Sequence, residues 1–275
     1  MTSRVRAGRV ARQAVLLLMA LLTLYPVWFM VSTAFKTQHQ YLHNPYAVPW
    51  PLSVANFGDA IHGGTFFLWF KNSAILTLGS VILSTLAAAL AAFAIARMEW
   101  LGRSVFLAIS TALMIVPPVV MLMPLFILFT NLNLVSTYQG VILIYAGLTL
   151  PFSIYMLTNF FRSIPHELLE SAVTDGARHF AILWRIVLPL SAPALVTLVV
   201  VNGLWVWNEL LIALVFLQSE SSRTLMSGLA QFQGRFVTNV PLVLAGALVS
   251  ILPVVVLYLS GQRFFVRGLT AGIGK

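Results

Sequence analysis

From Ser104 to Phe161 the chain carries no aspartate, glutamate, lysine or arginine. A run of that length cannot be the interior of a soluble domain, in which about a quarter of the residues are charged. Nor is it a single helix, because about 20 residues already cross the hydrocarbon layer of a bilayer. It reads as two apolar helices joined by the polar turn Asn131–Gln139. The remainder of the 275 residues has the same character: 60% are hydrophobic, 8% are charged, and the mean hydropathy is +0.94. Apolar surface in such excess must face lipid. The sequence predicts an all-α integral membrane protein.

Because charges are scarce, they mark the ends of the other spans. Uncharged runs cover Gln13–Phe35, Asn72–Ala96 and Val240–Gln262, and an apolar run over Ile186–Leu217 is interrupted at Asn202 and Asn208-Glu209. Six spans are predicted, with both termini on one side. That side collects twelve of the sixteen Lys and Arg, leaving Lys36, Lys71, Arg223 and Arg235 opposite. Basic loops stay in the cytoplasm, so both termini are expected there. The basic N-terminus is not expected to be a cleaved signal peptide. Its apolar run exceeds the 7–15 residues of a signal core and contains Tyr25, Pro26 and Trp28.

Several chemistries are excluded at this level. The net charge of +9 follows from the cytoplasmic loops and does not imply nucleic acid. With no cysteine there is no disulfide, thiol nucleophile or thiolate metal site. The five histidines (39, 43, 62, 166 and 179) form no HxH or HExxH pattern, so no metal site is expected. No GxxxxGK[ST] sequence occurs, so the chain is not expected to hydrolyse ATP itself. Prolines at 26, 117, 118, 124, 151 and 253 fall within expected helices and should bend them. The second helix instead is rich in small residues, Ser84, Ala87, Ala88, Ala89, Ala91 and Ala92, which permit close helix packing.

The loop Arg162–Arg185 holds three of the seven acidic residues. Pro165–Asp175 is predicted as a short helix. Pro165 is tolerated at its start, Glu167 and Glu170 suit the positive end of its dipole, and Gly176 suits a left-handed residue after its end. Leu168, Leu169, Ala172 and Val173 are expected to form one apolar face, which calls for a partner groove. A second amphipathic helix is predicted over Arg178–Leu188, with Phe180, Leu183, Trp184 and Val187 in register, stopping at Pro189.

The same residues carry a resemblance. Glu170-Ser171-Ala172, three residues, Gly176, nine residues, Ile186, one residue and Leu188-Pro189 resemble the EAA loop of ABC-importer permeases, with Ser171 in place of one alanine. Asn72-Ser73, Ala94-Ile95-Ala96-Arg97, Gly140-Val141-Ile142-Leu143 and the tail Arg267–Gly272 extend the likeness to nearly the whole chain. They resemble the MalG-type, six-helix subunits of the carbohydrate importers, which share the MetI/MalG-type permease fold. The resemblance implies a single transmembrane permease domain over residues 1–275, with residues 162–189 as its coupling loop. It implies a bacterial or archaeal inner membrane, a second MalF-type permease subunit, a cytoplasmic ATPase dimer and an extracytoplasmic binding protein. This chain then has no cofactor, ATP and Mg residing on the ATPase. Coupling would fall to Glu170, Ser171, Ala172, Asp175, Gly176, Leu188 and Pro189. The tail Gly268–Lys275 is expected to reach toward the ATPases; the loop Gln218–Asn239 either contacts the binding protein, as the resemblance implies, or is a solvated connector.

A sugar offers apolar C–H patches between hydroxyls, so it is held by aromatic faces and hydrogen-bonding side chains. Asn202, Trp205, Asn208, Glu209, Tyr145 and Tyr155 are the pathway candidates on that ground. Asn202 is equally explained by hydrogen bonding between helices, and Glu209 by a wetted position past the end of its helix. The alternative function is a secondary transporter or channel working without an ATPase. It should show broken helices in both halves, for which the sequence gives no sign.

Overall fold

The computed structural model describes residues 2–62, 65–232 and 239–271. Among the described residues there are helices and no strands. In chain order the helices are α1 (Thr2–Ala34), α2 (Gln38–His43), α3 (Ala55–His62), α4 (Phe66–Arg97), α5 (Arg103–Leu113), α6 (Pro118–Asn131), α7 (Tyr138–Ser163) and α8 (His166–Thr174). They continue as α9 (His179–Ile182), a π-helical turn (Leu183–Val187), α10 (Leu188–Leu190), α11 (Ala192–Asn208), α12 (Leu211–Phe216), α13 (Leu225–Leu229) and α14 (Val240–Ala271).

Among the described residues, four helical stretches are long and apolar enough to cross a membrane: Arg12–Ala34, Phe66–Arg97, Tyr138–Ser163 and Val240–Ser260. The six expected spans are reached when each of two bent pairs is taken as one span. The first pair, α5 and α6, is bent by 102°, and the second, His179–Leu190 with α11, by 78°. The first bend falls at Pro117 and Pro118, where the sequence leads one to expect bending; the second falls at Ser191, where it does not. The first has a direct cause. Pro117 and Pro118 withhold two backbone N–H groups in succession, and the chain is non-helical from Met114 to Pro117.

The second bend corrects the expected stop at Pro189. Leu188 N–H reaches back to the Leu183 carbonyl, the wider π-type bond. That turn lies just before Pro189, whose ring would otherwise press on the Arg185 carbonyl. The helix therefore passes Pro189 and turns at Ser191, whose N–H bonds the carbonyls of Val187 and Leu188 at 2.9 and 3.1 Å.

The chain divides into two compact units, Met1–Phe67 with Gly228–Leu252 and Leu68–Ser227 with Pro253–Lys275. In the first unit, the end of α1 is tied down by Asn56, whose amide donates to the Ala34 and Lys36 carbonyls at 2.8 and 2.7 Å. Lys36 is almost wholly buried and donates to the Pro45 carbonyl at 2.5 Å. Burial holds its ammonium pKa below the usual lysine value. A Thr37–Gln40 capping box opens α2.

The second unit is built around α4 and α7. Ser80, Ser84, Ala88 and Ala92 recur every fourth residue of α4, and all are buried. This small-residue stripe admits a close neighbour. One apolar core gathers Ala88, Ala92 and Phe93 with Leu157, Phe161, Leu169, Ala172, Leu183 and Val187. Another, toward the opposite ends of the same helices, gathers Leu76, Val141, Ile144, Tyr145, Ile212 and Phe216.

Two glycines of α7 have opposite surroundings. A Cβ on Gly140 would lie 2.2 Å from the Leu134 carbonyl oxygen, whereas one on Gly147 would meet nothing within 4 Å. Gly140→Ala is therefore expected to cost about 3 kcal/mol or more, because the clash is with backbone. Gly147→Ala is expected to be neutral or to stabilise by up to about 1 kcal/mol. Thermal unfolding of the two purified variants in mild detergent measures the contrast.

Candidate functional site: a membrane groove and a coupling loop

Two cavities of about 310 and 190 Å³ lie side by side in the second unit and share Leu148, Phe152 and Trp205. The larger is bounded by the α5–α6 break at Leu113, Met114, Val116 and Pro118, and by Gly147 and Pro151 of α7. The smaller adds Thr149, Val201 and Asn202. The break in the third span thus opens the space that the groove occupies. Pro151 has no N–H to offer the Gly147 carbonyl four residues earlier, so an acceptor is freed in the same wall. No lysine, arginine, aspartate or glutamate lines either cavity.

Polar groups behind the groove form a ladder across three helices. Asn202 of α11 donates to the Ser153 hydroxyl at 2.9 Å, and Thr149 of α7 donates to Ser84 of α4 at 2.9 Å. Ser84 and Ser153 are 3.3 Å apart. Asn202 therefore does both things its type allowed: it bonds between helices and borders the cavity. Trp205 stands where the cavities meet, its ring edge-to-face with Tyr145 at 6.1 Å between centroids.

Tyr145 is buried, and its hydroxyl donates to Glu209 at 2.9 Å. The Glu209 carboxylate also accepts the Ile212 and Ala213 N–H groups at 3.0 and 3.3 Å, capping the start of α12. This corrects the reading of Glu209 as a side chain merely wetted past a helix end: three donors fix it. The pathway candidates separate accordingly. Asn202 and Trp205 line the groove, with Tyr145 and Glu209 bracing Trp205 from behind. Asn208 instead donates to the Leu204 carbonyl of its own helix at 2.7 Å, and Tyr155 is exposed; neither borders either cavity. Gly147, Leu148 and Phe152 were not found from sequence. The proline four residues after Gly147 was the available signal.

Of the residues expected to couple, Glu170, Ser171 and Ala172 lie on α8 and Asp175 and Gly176 directly after it, whereas Leu188 and Pro189 lie on α10. Asp175 caps α8, and Gly176 follows at φ +81°. Gly176 N–H bonds the Val173 carbonyl and Ala177 N–H bonds the Ala172 carbonyl, both at 2.9 Å. That pair of bonds is a Schellman ending. The predicted apolar face is split. Leu169 and Ala172 are buried in the chain's own core, while Leu168 and Val173 are exposed. Ala172 therefore seats the helix and is not available to a partner. The second segment divides the same way, with Leu183 and Val187 buried and Phe180 and Trp184 exposed, their rings 5.9 Å apart. Glu170, Ser171, Asp175 and Pro189 are exposed and Leu188 is half-buried.

Beside α8 lies a third cavity, of about 340 Å³, bordered by Phe93, Arg97, His166, Glu170, Thr174 and His179. Arg97 ends α4, and its guanidinium donates to the carbonyls of Phe161, in the last turn of α7, and Ile164, directly after it. Its role was missed; the signal was a lone arginine closing a long uncharged run. Of the expected contacts of the tail and of the loop Gln218–Asn239, residues 272–275 and 233–238 lie outside the described residues.

Residues 80–270 match the family model described as the binding-protein-dependent transport system inner membrane component. A putative ABC transporter permease protein, ORF2, of Caldicellulosiruptor sp. (strain Rt8B.4) is 37% identical over 251 residues, covering 91% of each chain. The melibiose/raffinose/stachyose import permease protein MelC of Bacillus subtilis (strain 168) is 32% identical over 276 residues, covering 98% of this chain and 99% of its own. In fold, the chain is similar to one from a bacterial ABC transporter involved in the import of the acidic polysaccharide alginate. That likeness has a TM-score of 0.84 at 24% identity and covers 94% of this chain and 97% of the other. The chain belongs to the family of inner-membrane components of binding-protein-dependent transport systems.

Proposed function

We propose that this chain forms one half of the membrane pathway of an ATP-driven importer for a sugar or sugar-like solute. The observation that carries the reading is α8: a short helix seated on its own chain by Leu169 and Ala172, ended by a Schellman turn, and presenting Glu167, Glu170, Ser171 and Asp175 outward. Such an element is built to take a push from a partner protein and pass it inward as a rigid-body movement. The partners that fit are a cytoplasmic ATPase dimer holding ATP and Mg, a second permease subunit completing the pathway, and an extracytoplasmic binding protein delivering cargo. Relatives named for melibiose, raffinose and stachyose import support the sugar class. So does the groove, where an indole face adjoins hydroxyl and amide groups without a charge. The weight of basic residues around α8 and the termini supports a cytoplasmic location for both.

The two bent spans remove one objection to a transporter working alone, since broken helices are its usual mark. The partner proteins decide between the two. Mild-detergent purification of the tagged chain from its native membrane is expected to bring down an ATPase and a second permease subunit. A homo-oligomer without an ATPase would instead establish the autonomous transporter. Two substitutions test the loop. Glu170→Lys reverses an exposed charge, and Gly176→Pro imposes φ near −65° where +81° is needed. Each is expected to leave the chain inserted but to lower sugar uptake about 5- to 30-fold, the scale of a lost coupling free energy of about 1–2 kcal/mol. Normal uptake together with normal ATPase association in both would refute the assignment.

The groove is tested by filling it. Gly147→Leu places bulk into open space, and Trp205→Ala removes the aromatic wall. Both are expected to lower uptake with assembly intact, whereas Tyr155→Ala, away from the groove, is expected to leave uptake unchanged. Labelled-sugar uptake in whole cells, normalised to the amount of chain in the membrane, reads all three.

A further inference from the structure

Helix α4 is anchored at both ends to the segments that the proposed function sets in motion. Near its start, the Asn72 amide donates to the Ser221 and Arg223 carbonyls, each at 2.8 Å. The Asn72 side-chain oxygen accepts the Tyr138 hydroxyl at 2.7 Å, and the neighbouring Ser73 hydroxyl accepts the Leu225 N–H at 2.9 Å. Asn72 has no exposed surface and Ser73 has 2%. The short stretch after α12 is thus pinned by side chains more than 140 residues away in sequence, through its main chain. At the far end, Arg97 holds the carbonyls of Phe161, in the last turn of α7, and Ile164, two residues before α8 begins. It also borders the cavity shared with Glu170 of α8.

Between these clamps α4 is unusual among the spans. α1, α7 and α14 each contain a proline, and the remaining two spans are bent pairs. α4 has no proline from Phe66 to Arg97, so its ladder of backbone hydrogen bonds is uninterrupted. At 1.5 Å per residue the distance from Asn72 to Arg97 is roughly 38 Å, more than the thickness of a hydrocarbon core. We propose that α4 is a rod that carries movement between the segment Ser219–Leu225 and the coupling helix, with Asn72 and Arg97 as positioning residues at its two ends. The inference rests on the proposed function, which places a delivering protein at one end and an ATPase at the other.

A two-ended link makes a specific demand: loss of either clamp disconnects the same rod, so the two losses cannot be independent. The importer, purified with its partner subunits and reconstituted with its binding protein, supplies the readout as the ratio of ATP hydrolysis with and without binding protein. Asn72→Asp is isosteric but loses the donor amide. Arg97→Gln keeps an amide but loses the forked cation. Each is expected to lower the ratio roughly fivefold, and the double variant no further than the more severe single one. Tyr138→Phe, which loses only the hydroxyl, should act in the same direction and more weakly. Because the chain lacks cysteine, a spin label placed at Glu167 gives a second readout. Binding protein should shift its spectrum in the wild type and fail to do so in Asn72→Asp. Effects that multiply in the double variant would reveal two local roles and overturn the rod, as would an unchanged ratio in Asn72→Asp. If a variant does not assemble, the Tyr138→Phe ratio and the spin label decide. A wild-type importer that binding protein does not stimulate would refute the proposed function itself, and the rod with it.

Discussion

The close approach of α4 to α7 is the contact on which the second unit depends. It is possible because Ser80, Ser84, Ala88 and Ala92 fall on one face at four-residue intervals and leave almost nothing exposed. Lipid tails are as apolar as leucine, so burying large side chains between membrane helices gains little. Small residues gain contact through the backbones themselves. The approach is close enough that a Cβ on Gly79 would come within 2.8 Å of Ile142. Once α4 and α7 are this near, the hydroxyls of Ser84, Thr149 and Ser153 meet one another and Asn202, while Thr149 and Ser153 also bond carbonyls of their own helix. Bonds of this kind in membranes contribute about 0.6 kcal/mol on average, so the ladder adds little stability. What it fixes is register, since a slip of one residue would part the Asn202 amide from Ser153.

Register then determines where the groove falls. With α11 tied to α7 through Asn202 and Ser153, Trp205 comes to the edge of the space opened by the break between α5 and α6. Tyr145 and Glu209 complete the support: the tyrosine ring meets the indole edge-on, and its hydroxyl is held by a carboxylate that also starts α12. A single acidic side chain, just past the end of α11, thus begins α12 and braces an aromatic wall, and an amide of the same size would lose the charge that serves all three donors.

What the sequence displayed and what it hid follow from the same physics. The spans and their ends were legible because charge is excluded from hydrocarbon, and α8 was legible because Pro165, Glu167 and Gly176 each act locally. The faces of the spans were not. In a helix apolar all round, periodicity does not separate a lipid-facing side from a packed one, which is why Tyr155 and Asn208 could not be told from Trp205. The bends were hidden differently. Pro117-Pro118 announces a break but not its 102° angle, which depends on what α6 packs against. At Ser191 the turn follows a π-helical stretch that no residue type advertises. The role of Glu209 was hidden because α12, six apolar residues, reads in sequence as the continuation of the span before it.

Under the proposed function, the division of α8 into a face kept and a face offered bears on how a partner's push would pass inward. Were Leu168, Leu169, Ala172 and Val173 all exposed, a partner could grip the helix while the permease behind it stayed still. With Leu169 and Ala172 in the same core as Phe93, Phe161 and Leu183, displacement of α8 must displace that core or break it. The start of the loop is stiff, because Arg97 holds the carbonyls of Phe161 and Ile164 through charge-assisted bonds, each worth about 1.5–3 kcal/mol. On its far side the chain turns at Gly176, held by the Schellman bonds to the Val173 and Ala172 carbonyls. A load applied to α8 is therefore passed to α4, α7 and the following segment together, through the core that Phe93, Phe161 and Leu183 share with it.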